Sequence, residues 1–589
     1  MARQRIAVGL FFLSLLLIGV FIFKDYGINW DEPDHAARGQ GFLDYILRGD
    51  RGVIDHEHLR SYGALPEIIL AVIQRAVKQD FRTIFLLRHL ILFLIFCLGV
   101  WFFYLLGQKM SGRWEIALLG CLMLVLSPRI FAHSFHNAKD IPLMSAVIVA
   151  AYTLVRFLEK QSPARMAWHA LACAAATDVR LMGMLTFFLT GAAFLLLLWE
   201  ARKSRKKALG VAGLSLEFII LYVILTILFW PTLWEDPVNR LVSAFHYASK
   251  FPWPGIQLYL GTYYTCGETP WHYVPVWIAI STPLLYLGFF IIGVFSLVIG
   301  SPWKRKPSSR VVEKAWGPLL VLFWFFVPLL GSMLMRVCTY NEFRHLFFIY
   351  PALILISLGG LKAAFESVRK IEKKKLSAAG SILLAAITIA GLGRVAFFMA
   401  KNHPHENVYF NRLAGRDMAR IARKFEMDYW GLSYKQALEY VLRVDSSEVI
   451  RVVVQNRPGE YNAWFLPPDQ RRRLEVFRAP YILIDLDRKI LRFAEQHPSK
   501  FFINPRFQLL FVLSRMTAEE KDELLRLCLN PQDKEDVNWV YEDSQRFEPP
   551  KYFLTNYSLF PGEFPLEEVH SIKVGNASIL GICRLNEKP

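Results

Sequence analysis

Long uninterrupted apolar runs constrain this chain more than any other feature. A helix needs about 20 mainly apolar residues to cross roughly 30 Å of hydrocarbon. Runs of that kind lie near 6–23, 85–106, 114–131, 141–158, 164–180, 182–199, 208–230, 272–300, 316–336, 345–361 and 377–400. They predict about eleven spans, with 164–180 crowded at its end by Asp178 and Arg180. With 54% hydrophobic and only 20% charged residues over 589 positions, the chain is an integral membrane protein. That balance excludes a soluble enzyme, a disordered regulator and a disulfide-framed secreted scaffold. The first run follows Arg3 and Arg5, and Phe23-Lys24-Asp25-Tyr26 comes next in place of a small-residue cleavage site, so it reads as an uncleaved helix.

The net charge of +18 is organised by topology. Basic residues cluster at 202–207, 304–314 and 369–375, with Lys109 and Arg113 in the turn at 107–113. A cytoplasmic N-terminus puts all of these on the cytoplasmic side, as the positive-inside bias requires, so no nucleic-acid partner is expected. The alternate loops are poor in basic residues, 231–271 carrying only Arg240 and Lys250. The segments 24–84, 132–140, 178–181, 231–271, 337–344 and everything after 401 then face outward. Residues 1–400 form the membrane domain. Residues 401–589 alternate short apolar stretches with helical patterns and read as a soluble α/β domain, with strands at Val449–Val454, Tyr481–Ile484, Tyr552–Leu554 and Ser571–Leu580 and a hairpin near Val574-Gly575-Asn576. The seven cysteines are too few for a disulfide framework, although Cys528 and Cys583 both fall in this tail. Asn556-Tyr-Ser558 and Asn576-Ala-Ser578 are acceptor sequons in a host that glycosylates them.

The outward segments hold the chemically unusual residues. Asn29-Trp30-Asp31-Glu32-Pro33 opens the first loop, and its two carboxylates suit a base and its positioning partner, or inert solvated acids at a helix end. In 63–79, apolar residues at 65, 68, 69, 72, 73, 76 and 77 oppose Glu67, Gln74, Arg75 and Lys78, the pattern of an interfacial helix. His133, His136 and Asp140 could ligate a metal, though the spacing is not diagnostic and Lys139-Asp140 equally suits a helix start. His56-Glu57-His58 is no metalloprotease motif, because Arg60 stands where the second histidine belongs. Arg180, Arg344 and His345 lie at span boundaries, where cations are costly and commonly have an anionic partner; Asp178 is the local partner for Arg180. With Lys139 they suit a phosphate at the outer leaflet. The tryptophans of 230–273 suit an interfacial belt or a platform for sugar rings and lipid chains. No dinucleotide, P-loop or nucleophile-elbow motif occurs, so no nucleotide cofactor is expected.

Trp30-Asp31-Glu32 after the first helix resembles the Asp-Glu motif of GT-C-type membrane glycosyltransferases, the superfamily of protein O-mannosyltransferases and family-39 aminoarabinose transferases. Asn137-Ala-Lys139-Asp140-Ile-Pro142 resembles their second acidic loop, Arg344-His345-Leu346 a motif before a late helix, and the stretches 403–411 and 428–433 segments of bacterial family-39-like proteins. Arg60-Ser61-Tyr62-Gly63-Ala64-Leu65-Pro66 stands where the aminoarabinose transferases carry a lysine beside prolines, which puts lipid A and aminoarabinose in doubt. The resemblance implies a polytopic GT-C-like fold in the plasma or inner membrane, a polyprenyl-phosphate-linked sugar as donor, and a lipid, glycan or protein acceptor. It implies Asp31 as general base and Glu32 as its positioner. Lys139, Asp140, Arg180, Arg344, His345 and Tyr62 would bind substrate, with a divalent metal touching Asp140. A transporter or flippase of an anionic or lipid-linked solute, with the tail as receptor, is the alternative. It predicts polar sites near the midplane and repeated halves, neither of which the sequence has.

Overall fold

The computed structural model describes residues 2–77, 80–249, 251, 253, 256–299, 311–478, 551–556 and 567–585. Eight helices among them are long and apolar enough to cross a membrane: Ala2–Ile22, Phe81–Ser111, Asp140–Glu159, Leu181–Ala201, Arg205–Phe229, Gly317–Leu334, Arg344–Arg369 and Lys374–Asn402. Two further helix pairs are apolar and long enough only when taken together, and each is sharply bent. Trp114–Val125 and Pro128–His136 meet at 69°, and Tyr273–Ser281 and Leu284–Ile299 at 120°. Both breaks fall before a proline, where Ser127 and Thr282 adopt extended backbone (ψ 100° and 136°) because the ring disfavours a helical predecessor. The run at 164–180 is a helix of 17 residues, Pro163–Val179, packed against Asp140–Glu159 and Arg205–Phe229. Arg344–Arg369 is the innermost helix, buried along most of its length.

The first break changes the reading of the segment after it. Residues 128–136 are not a loop but a fully buried helix, turned across the bundle so that Asn137–Asp140 arrives beside the first loop.

That loop holds two substantial helices. Leu65–Val77 was expected from its periodicity; Glu32–Arg48 begins directly at Asp31 and was not. Leu65–Val77 is inside-out for a soluble protein. Ile69 and Val72 point outward, while Glu67, Leu70, Ala71 and Gln74 face the protein. Such a helix shows its apolar side to lipid and sends its acid inward. There the Glu67 carboxylate accepts from Arg88 at 2.8 Å, and His35 Nδ1 lies 3.8 Å away. The start of this helix is capped by Asp178, which accepts from Leu65 N at 2.6 Å. Asp178 is therefore not the partner of Arg180. Gly63 permits the approach, since a Cβ there would sit 1.4 Å from the Asp178 carbonyl oxygen.

Outside the bundle, β1 (Ile256–Tyr259) and β2 (Thr262–Thr265) form an antiparallel hairpin. The tail builds a five-stranded sheet from β3 (Ile450–Val454), β4 (Leu474–Arg478), β5 (Tyr552–Thr555), β6 (Glu567–Val574) and β7 (Ala577–Arg584), in the order β4-β3-β5-β7-β6. The strand β3 runs parallel to β4 and β5, and the expected 571–580 stretch is the β6–β7 hairpin, turning at Gly575 with φ 63°. The candidate strand Tyr481–Ile484 and Cys528 lie outside the described residues. Of the sequons, Asn576 is exposed. Asn556 is buried and donates to the Asp428 carbonyl at 3.0 Å, so the folded protein does not offer it for modification. A disulfide not anticipated from the sequence joins Cys266 to Cys338 and pins the hairpin loop to 337–344.

Glu67→Ala leaves the buried Arg88 guanidinium without its carboxylate. Removing one partner of a buried pair costs roughly 3–5 kcal/mol. Thermal unfolding in detergent should therefore fall clearly, whereas Glu57→Ala on the exposed turn of the same loop should leave it in place.

Candidate active site

Two segments far apart in sequence present their charged residues by the same local device. In the first loop, Asn29 Oδ1 accepts from the backbone N–H groups of Asp31 (2.7 Å) and Glu32 (3.1 Å), an Asx turn that starts Glu32–Arg48. In the second, Asn137 Oδ1 accepts from Lys139 (3.1 Å) and Asp140 (2.8 Å), starting Asp140–Glu159. The two turns are joined. Asn29 Nδ2 donates to the His136 carbonyl at 2.8 Å.

Arg344 completes the arrangement from a third segment. Its Nη1 lies 3.3 Å from Asp140 Oδ2 and 3.9 Å from Asp31 Oδ2. Asp140 is buried, whereas the Asp31 side chain is 37% exposed and makes no capping hydrogen bond to its own helix. Asp31 thus turns its carboxylate into a hollow of about 750 Å³. Lys139, Tyr62 and Arg344 share that lining. The Lys139 ammonium lies 4.1 Å and the Arg38 guanidinium 4.9 Å from the Tyr62 ring centre, so both stack on its π face. Burial pushes the Lys139 amine well below its ordinary range, Arg38 adds to the depression, and Asp31 opposes it. Burial and the surrounding cations likewise hold His35 neutral.

The remaining candidates support the hollow without lining it. Both Asp140 oxygens are engaged, Oδ1 by Arg180 and Oδ2 by Arg344 and Asn137. Asp140 is thus already bound by two guanidinium groups and an amide, and among the described residues no three His, Cys, Asp or Glu side chains converge on a metal position. The residues present do not fit the expected divalent ion. Arg180 is committed to Asp140, and His345 is buried with its ring edge-on to Tyr340 at 4.7 Å. Glu32 points away from the hollow, bonding His89 Nε2 and the Asn29 N–H at 2.9 Å each, which makes it a positioning residue for the turn. His133 and His136 form no metal pair, because His133 faces Glu342 at 3.2 Å and His136 faces Asn29.

The loop that carries Arg344 is strained and held. Asn341 and Glu342 adopt left-handed backbone (φ 54° and 65°), which costs a non-glycine residue roughly 1–2 kcal/mol. Glu342 stays there because Arg129, His133 and Tyr429 grip its carboxylate and Tyr273 Oη accepts its N–H at 3.0 Å. Burial works against that charge, but Arg129 and His133 keep the carboxyl below its ordinary range. On the other side Trp253 stacks on Tyr340 at 4.3 Å, and the Arg344 guanidinium sits between Tyr340 (5.0 Å) and Trp430 (4.7 Å).

The sequence reading missed two contributions. Asp31, Asp34, His35 and Arg38 line the hollow at i, i+3, i+4 and i+7, a helical periodicity that was present but unused. Glu426, Tyr429 and Trp430 come from the tail, and no local pattern marks them. The tail also holds the Asp31 loop. His403 bonds Asp25 (3.1 Å), Tyr26 donates to Glu406 (3.0 Å), and Asn462 exchanges two hydrogen bonds with the Ile28 backbone (2.9 Å each). Gly27 lets Asn462 in, as a Cβ there would meet its Oδ1 at 2.5 Å.

Fold and site together define a polytopic membrane protein with a cation-rich hollow, a half-exposed carboxylate and a tail that helps build both. The sequence model of the family described as dolichyl-phosphate-mannose-protein mannosyltransferase matches residues 81–230. That stretch contains Lys139, Asp140 and Arg180 but neither Asp31 nor Arg344. No curated protein matches the chain. Similar solved structures include apo ArnT from Cupriavidus metallidurans, at 11% identity and TM-score 0.45, covering 98% of each chain. The same protein bound to undecaprenyl phosphate gives 11% and 0.44, again covering 98% of each. An Archaeoglobus fulgidus oligosaccharyltransferase tethered to an acceptor peptide gives 10% and 0.43, covering 93% of this chain and 69% of that one. Likeness at this level assigns no role to any residue here.

Because Asp31 is the anion that supports the Lys139 ammonium, Asp31→Asn should enlarge the unprotonated fraction of that amine. A small acetylating reagent should then label Lys139 faster at mildly alkaline pH, read by peptide mass spectrometry. Equal labelling in both proteins would uncouple the two groups.

Proposed function

We propose that the chain is a GT-C-type glycosyltransferase that moves a sugar from a polyprenyl-phosphate donor to an acceptor hydroxyl on the outer side of the membrane. The observation that carries this reading is Arg344 bridging Asp31 and Asp140 beside Lys139 and Arg38. One carboxylate stays open to a substrate there while cations gather around it. The family match over residues 81–230 supports the same reaction class.

In the proposed step Asp31 takes the proton of the acceptor hydroxyl as its oxygen attacks the anomeric carbon. The bond from that carbon to the phosphate oxygen breaks, and the sugar inverts in one displacement. The donor phosphate passes from a monoanionic diester to a monoester that gains negative charge. Lys139, Arg38 and Arg344, already fixed in place, are suited to take up that charge, so the leaving group needs no proton. Arg344 can grip the phosphate by two N–H groups, and Tyr62 holds Lys139 and Arg38 over one ring.

The outward orientation rests on the basic loops and on the Cys266–Cys338 disulfide, since such bonds persist in oxidising compartments. The tail, which shares the site with the disulfide-bearing loops, then lies on the same exterior side, and the N-terminus is cytoplasmic.

A positioned base contributes roughly 10²–10⁴-fold. Asp31→Asn should therefore slow release of polyprenyl phosphate from a sugar-loaded donor by about that factor without altering thermal unfolding. Near-normal turnover by the purified variant would remove Asp31 from the reaction. Arg344→Ala should weaken binding of undecaprenyl phosphate roughly 10–100-fold, the range of a lost charge-assisted contact. Unchanged affinity would take Arg344 out of the phosphate site.

A further inference from the structure

The tail contributes a carboxyl group that the proposed reaction leaves unused. Glu426 lines the hollow but is 4% exposed. The segment is fixed by an antiparallel bridge between Phe425 and Tyr259, and the Glu426 carboxyl accepts the Leu258 N–H. Its Oε2 has no hydrogen-bond partner among the described residues. Among the described residues no cation forms an ion pair with it. The ionisable groups that face it are Tyr263 on β2, Tyr273 at the start of its helix, and Glu342 and Arg344 on the loop ahead of the innermost span. Three and four residues on, Tyr429 and Trp430 form the adjoining wall, and the Arg344 guanidinium lies 4.7 Å over the Trp430 ring.

We propose that Glu426 reads the sugar of the donor: its carboxyl group donates a hydrogen bond to a ring hydroxyl in the hollow that it lines beside Arg344. The inference rests on the proposed phosphate site at Arg344. The donor's sugar is bonded directly to its phosphate, so a group neighbouring Arg344 and Trp430 meets that sugar first. An unpaired buried carboxyl is favoured in its neutral form, and burial with nearby Glu342 pushes the Glu426 carboxyl up to about 8. Below that value the group is a hydrogen-bond donor, and above it the O–H is lost.

The test uses the full chain in nanodiscs with defined lipids: undecaprenyl phosphate, and the same lipid phosphate carrying glucose, mannose or arabinose. At neutral pH the wild type should bind at least one sugar-bearing lipid about 5-fold more tightly than the bare one, the worth of one good hydrogen bond. Glu426→Ala should erase that preference and leave bare-lipid affinity in place, which also shows that the variant is folded. Glu426→Gln keeps a neutral donor and should retain most of the preference. The wild-type preference should fall more steeply than the Gln variant's as pH rises through about 8, because both share the titration of the bare lipid phosphate and only the wild type loses the Glu426 proton. If Glu426→Ala loses the bare lipid as well, the Gln variant and the two pH profiles decide. No sugar preference in the wild type, an unchanged preference in Glu426→Ala, or identical pH profiles would each overturn the assignment. Failure of the wild type to bind any of these lipids would instead remove the phosphate site itself.

Discussion

The Arg344 bridge between Asp140 and Asp31 is the interaction on which the site depends. Burying charges is expensive, and a buried pair seldom adds net stability over a well-packed apolar replacement. Its value lies in geometry. Asp140 is fully buried and bound by Arg180, Arg344 and Asn137, so it can serve only as an anchor. Because Arg344 is held there, its guanidinium is presented to Asp31 and to the hollow at one orientation. The left-handed backbone at Asn341 and Glu342 brings Arg344 to that point, and the Arg129–His133–Tyr429 grip on Glu342 offsets the strain.

The division of the chain near residue 400 describes connectivity better than function. Past the last span, His403, Glu406 and Asn462 reach back to Asp25, Tyr26 and Ile28, all within a few residues of Asp31. Tyr429 and Trp430 close the other wall through Glu342 and His133. The tail therefore fixes both sides of the hollow, and a truncation after the last span would release the Asp31 turn as well as removing a sheet.

The spans were legible because hydrocarbon imposes a length and a composition that few sequences meet by accident. All eleven apolar runs became helices, two bent before Pro128 and Pro283 and one only 17 residues long. Asp31, Lys139 and Arg344 were expected to converge on one hollow, and the structure brings all three to the same lining. Direction was not legible. Periodicity found Leu65–Val77 but not that its acidic side faces the protein, because the same stripe suits a soluble core or a lipid surface. Adjacency also misled. Asp178 stands two residues from Arg180, yet a helix start takes its carboxylate and Arg180 crosses to Asp140. The Cys266–Cys338 pair and the Glu426 wall join segments separated by long stretches of chain, where local pattern carries no information.

The charge inventory bears on the kind of phosphate the hollow suits. Arg180 is neutralised by Asp140, which also claims part of Arg344. What faces the hollow is Arg38, Lys139 and the remainder of Arg344, set against Asp31, Asp34 and Asp50. That is close to a balance of charge. It suits one phosphate whose charge grows by about one unit as its bond to sugar breaks, and it lacks the backbone cradle and extra cations that a nucleotide diphosphate uses. Lys139 sharpens the match. Burial depresses its amine and Asp31 opposes that, so an anion close to Lys139 favours the ammonium.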